Sequence, residues 1–82
     1  MALARSPRQI GALIQCFRKE RGMSQTELAH LAGLRQEMVS KIEGGQPGSR
    51  IASICDLLAA LNLEMTIAPR TRSSSADIED IF

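Results

Sequence analysis

Tryptophan and tyrosine are absent from this 82-residue chain, and phenylalanine occurs only twice. Strands favour aromatic and β-branched residues, so a core of Leu, Ile, Ala and Met points to packed helices rather than a sandwich or barrel. Cysteine is equally scarce. Cys16 and Cys55 form no C-x-x-C pair and, with a single histidine, no zinc set. Both lie in apolar-periodic segments and are expected to be reduced core residues of a cytoplasmic protein. No apolar run approaches the roughly 18 residues needed to span a bilayer. The arginines near the start are not followed by the uninterrupted apolar stretch of a signal peptide. Nor is there a nucleophile–base pair, a phosphate-cradling glycine loop or room for a substrate pocket, so the reading is of a protein that is no enzyme and needs no cofactor.

A strong excess of charge is missing as well: the formal net charge is only +1. Its distribution is uneven. Residues 1–72 carry ten Lys or Arg against six Asp or Glu, a net of +4, whereas residues 73–82 carry three acids and no base. A basic body followed by an acidic tail suits a nucleic-acid partner for the first and a basic protein surface for the second.

What is present is periodicity. Residues 1–6 read as a short arm. Pro7 suits a first helical position, and Ile10, Leu13, Ile14 and Phe17 then follow the spacing of one helical face, with Gly22 as the stop. Ser24 and Glu27 form an S-x-x-E capping box that opens a second helix through Leu28, Ala29, Leu31 and Ala32, ended by Gly33. Leu34 plugs the turn. A third helix from Arg35 to Glu43 buries Val39 and Ile42 and stops at Gly44 and Gly45. Ser49 is the expected N-cap of a fourth helix with Ile51, Ile54, Cys55, Leu58 and Leu61 on its apolar face. From Leu63 the period becomes two: Leu63, Met65 and Ile67 alternate with polar residues until Pro69. A lone strand has no partner in its own chain, so pairing with a second copy is expected. The reading is an all-α domain of four to five helices over 7–62, a dimerisation strand over 63–69 and a disordered acidic tail over 70–82.

Residues Ser24 to Gly44 carry the function: a capped two-turn helix, a glycine turn and a second short helix form a helix-turn-helix unit. Ala29 is small where the two helices cross. Arg18, Gly22, Ser24, Gln25, Glu27, Leu28, Ala29, Gly33, Val39, Ile42, Glu43 and Gly44 resemble, in order and spacing, the Cro and lambda-repressor-like (XRE) family over about residues 10–62. The resemblance implies that Gln25 holds a phosphate and that Gln36, Glu37, Ser40 and Lys41 face the major groove. There Gln36 suits adenine, Lys41 guanine or a phosphate, and Glu37 cytosine. Arg35 replaces the small residue usual at its position and is expected on a phosphate, as is Arg50. Arg18 and Glu43 match the family's internal ion pair, which fixes geometry more than it adds stability. Met38 is expected to face outward, where the family tends to have a small polar residue.

A narrower resemblance, to the HipB antitoxins, rests on Arg35 followed by Gln36, the strand directly after the fourth helix and the acidic tail ending in Phe82. It implies strand-paired homodimers on an inverted-repeat operator, autorepression and a HipA-like kinase toxin as partner, in the bacterial cytoplasm at the nucleoid. In the tail, Ile78, Ile81 and Phe82 would anchor the partner while Asp77, Glu79 and Asp80 steer toward it; the other reading is a solvated end. Two further alternatives are a stand-alone phage- or plasmid-type repressor and a protein-interaction adaptor on the same fold. Near-neutral total charge and Glu37 favour the adaptor.

Overall fold

The computed structural model describes residues 3–70. Four helices follow one another: α1 (Pro7–Glu20), α2 (Gln25–Ala32), α3 (Gln36–Glu43) and α4 (Ile51–Ala60). Their starts and stops follow local chemistry. Ser6 caps α1, its hydroxyl accepting from the Gln9 backbone N–H, and Pro7 takes the first helical position. The capping box of α2 closes in both directions: Glu27 N–H donates to Ser24 Oγ at 3.0 Å, and Ser24 N–H to Glu27 Oε1 at 2.9 Å. The Ser24 backbone N–H first, and its hydroxyl second, hold the Glu27 carboxyl below the usual carboxylate range. That contribution to stability is present above the ordinary glutamate pKa and is lost as pH falls through the lowered one. Ser24→Ala should cost about 1 kcal/mol in a urea melt; an unchanged midpoint would show the cap to be dispensable.

Gly33 ends α2 in the left-handed region, at φ 71°, where a side chain would be strained. The next N–H, from Leu34, then returns to Ala29 O at 2.9 Å. Leu34 packs against the core as the expected plug. That core is Ile14, Leu28, Ala29, Val39, Ile42, Leu57 and Leu61. The main helix packings are α1 on α3, α2 on α3 and α2 on α4, so α3 is held from two sides.

Several expectations need correction. Ser49 does not cap α4: Arg50 occupies the cap position without a side-chain bond, and Ser49 Oγ instead donates to Gln46 O at 3.2 Å, closing the preceding loop. Cys16 and Cys55 are exposed rather than core residues. Each stands two positions from a buried residue, Ile14 and Leu57, about 200° around a helix. In α4 the buried stripe is Ser53, Leu57 and Leu61, with Ile54 and Leu58 half-buried and Ile51 67% exposed. In α2, Leu31 also faces solvent.

Past α4, Asn62 adopts a positive φ and Leu63 N–H donates to Leu58 O at 2.7 Å, fastening the exit of the helix. The strand expected over 63–69 is not formed: residues 63–70 carry no regular structure, and there is no strand among the described residues. The physical reason is the one already given, that a ladder needs a second strand to bond to. Leu63 packs against the core, while Met65 and Ile67 are 45% and 94% exposed. The tail anchors Ile78, Ile81 and Phe82 lie outside the described residues.

Candidate nucleic-acid interface

Helix α3 buries Val39, Ile42 and Glu43, which turns its other face outward. Gln36, Glu37, Ser40 and Lys41 all lie exposed on that face, preceded by exposed Arg35. Arg35 makes no side-chain cap bond to the helix, as a guanidinium that only donates could not, and it lies exposed at the start of α3. Beyond the α3–α4 loop, Arg50 joins Lys41 in lining a shallow groove of about 260 Å³, together with Met38 and residues 46–49. Met38 therefore does not point freely outward as expected. It is half-buried against the core, its flexible thioether adding an apolar wall to the groove that Lys41 and Arg50 line.

The amide residues are connected to the interior. Arg18 at the end of α1 and Glu43 at the end of α3 are both buried, and the guanidinium grips the carboxylate at two points. Nε donates to Oε2 at 2.6 Å and Nη2 to Oε1 at 3.1 Å. Nη1 also donates to Met23 O at 2.7 Å, tying in the α1–α2 turn. Three of the fork's donors are thus occupied, as a buried charge requires. A carboxylate at a helix C-terminus opposes the helix dipole; the arginine offsets that. Glu43 Oε1 accepts a further bond, from Gln25 Nε2 at 3.0 Å. Gln25 Oε1 in turn accepts from Gln36 Nε2 at 2.8 Å. A continuous line of hydrogen bonds therefore runs from a buried ion pair to the exposed first residue of α3.

The structure thus brings Gln25 and Gln36 together, joins both to the Arg18–Glu43 pair, and places Lys41 and Arg50 on one groove. Arg35, Glu37 and Ser40 share the α3 face. Sequence reasoning missed the Gln25–Glu43 bond, which depends on residues 18 positions apart becoming neighbours. It also missed the loop side chains Gln46 and Ser49; the glycine–proline loop between two helices was the available signal.

Two short helices joined by a tight glycine turn, the second with a polar face clear of the core, define a helix-turn-helix DNA-binding protein. The helix-turn-helix family HTH_3 matches residues 17–67, and the chain belongs to that family of DNA-binding regulators. It is 35% identical over 69 residues to an uncharacterized HTH-type transcriptional regulator, y4mF, of Sinorhizobium fredii, spanning 83% of this chain and 91% of that protein. It is 27% identical over 74 residues to the antitoxin HipB of Escherichia coli K12, spanning 90% and 84% respectively. Among solved structures, a chain of the HipA-HipB-O2-O3 complex superposes with a TM-score of 0.77 at 26% identity, covering 83% of this chain and 96% of that one. Among the described residues, no helix is long and apolar enough to cross a membrane.

Proposed function

We propose that the protein is a sequence-specific repressor that binds an inverted-repeat operator as a homodimer, and that it is the antitoxin of a type II operon whose toxin is a HipA-like kinase. Gln36 carries the DNA-reading part of this proposal. It stands exposed at the N-terminus of α3, its amide held by Gln25, and an amide so held suits the N6 and N7 positions of adenine in the major groove. Gln25, Arg35 and Arg50 would then meet phosphates, with Lys41, Ser40 and Glu37 facing the DNA from α3. Titrating fluorescent DNA from upstream of the protein's own gene tests this. Gln36→Ala should weaken binding about tenfold or more at every salt concentration. The logarithm of affinity should fall linearly with the logarithm of salt for both proteins. Binding indifferent to sequence and salt would move the adaptor reading to the front.

The homodimer rests on apolar surface left uncovered. Met65 and Ile67 project from an unpaired segment, and exposed Ile51 and Cys55 give α4 a second apolar face. A helix apolar on both sides normally has something on each. Pairing residues 63–69 with the same residues of a second copy would supply the missing ladder and set half-site centres about one DNA turn apart. Met65→Glu should shift the sedimenting species toward monomer and lower operator affinity; an unchanged dimer would refute the seam.

The antitoxin assignment is supported by likeness to HipB along nearly the whole chain, beyond α4 as well as within the reading helices. Co-expression with a HipA-like kinase of the same genome tests it: growth arrest by the kinase alone, relieved by this chain, is the expected outcome. The second reading is a stand-alone regulator, under which no such relief occurs; the higher identity to y4mF, an HTH-type transcriptional regulator by name, supports regulation under either reading.

A further inference from the structure

We infer that Glu43, buried behind Gln25, is a positioning residue that fixes which way round the Gln36 amide meets a base. The inference rests on the proposal that Gln36 reads the major groove. It follows from the polarity of the groups. A carboxylate only accepts hydrogen bonds, so the Gln25 atom 3.0 Å from Glu43 Oε1 is its nitrogen. The amide is planar, so its oxygen faces away, toward the start of α3. A carbonyl oxygen also only accepts; hence the Gln36 atom 2.8 Å from it is again nitrogen. Gln36 is left with one N–H and its whole carbonyl oxygen for a ligand, in a fixed left-to-right order.

That order is the information. Adenine offers an acceptor at N7 beside a donor at N6, and an oriented amide matches both; guanine offers two acceptors and matches only one. An amide in place of Glu43 can offer Gln25 either its oxygen or its nitrogen. Gln25 is then free to turn over, and Gln36 with it, and the donor–acceptor order at the groove is no longer fixed. The bidentate grip of Arg18 on Glu43 holds the carboxylate in place, so the same ion pair that joins α1 to α3 also sets the polarity of the reading amide.

The test uses the full chain and duplexes with a randomised 20-base-pair core, selected for binding and sequenced. The proteins are wild type, Gln36→Ala, Glu43→Gln and Gln25→Met, each confirmed folded by circular dichroism. Because Glu43→Gln leaves Arg18 uncompensated, Arg18→Met/Glu43→Gln, which removes both charges, replaces it if it fails to fold. Wild type should prefer adenine about tenfold or more at one position per half-site, the position that Gln36→Ala erases. The Glu43→Gln protein and Gln25→Met should lose most of that preference at the same position and keep the preferences elsewhere. Retention of the preference, or an equal loss at all positions, overturns the inference. Should wild type select no sequence at all, the base-reading role of Gln36 falls, and this inference with it.

Discussion

Glu43→Ala is expected to lower the unfolding free energy by about 3–5 kcal/mol, the cost of leaving one partner of a buried pair without the other. Small domains have about 5–15 kcal/mol in total, so this is a large fraction of the whole. The loss has two sources. The Arg18 guanidinium would stay in the interior with Met23 O as its remaining acceptor, and Gln25 would lose the acceptor for its amide N–H. Arg18→Met/Glu43→Gln should recover most of the loss, because both charges leave together and an amide remains to meet Gln25. Urea melts of Arg18→Met, Glu43→Gln and the double close a cycle and give the coupling directly. A loss below about 1 kcal/mol in Glu43→Ala would mean that water reaches the site and the pair is not a structural tie.

How much of this was legible beforehand follows from how far each feature reaches along the chain. The ends of α1, α2 and α3 are set by neighbours within four residues, such as Ser24 with Glu27 or Gly33 with Ala29, and a linear pattern holds that information. The face of α4 is set elsewhere. Its sequence is apolar nearly all round, so period alone cannot choose between the stripe through Ile51 and Cys55 and the stripe through Ser53, Leu57 and Leu61; only packing against α2 decides. Ser49 has the right chemistry for a cap, yet the loop uses its hydroxyl one turn earlier. Met38 looks outward on a helical wheel, but a long unbranched side chain can fold back against the core. The segment after Leu63 carries strand alternation that a single copy cannot satisfy. For the site, the residue types were readable one at a time through family resemblance. Their connection was not, since it exists only once residues 18, 25, 36 and 43 meet.

Gly11→Ala should destabilise the domain by about 2–3 kcal/mol, against the direction of helix propensity. In an open helix the same change would stabilise by up to about 1 kcal/mol, because alanine loses less backbone freedom than glycine. Here a β-carbon at position 11 would stand 2.1 Å from Ile42 O, 2.7 Å from Glu43 O and 2.9 Å from Glu43 C. These are backbone atoms at the end of α3 and cannot rotate aside as a side chain would. The two helices must separate, and overpacking of that kind costs about 1–3 kcal/mol and sometimes more. The separation falls where Glu43 reaches Arg18, so the tie between α1 and α3 should loosen with it. In a thermal melt, Gly11→Ala should lower the midpoint by roughly 10–20 °C. Ala12→Gly, one position along on the exposed face of the same helix, serves as the control and should cost only the propensity difference of about 1 kcal/mol. A Gly11→Ala protein more stable than wild type would show that α1 and α3 do not approach backbone to backbone, and the fixed relation between the ion pair and the reading helix would have to be sought elsewhere.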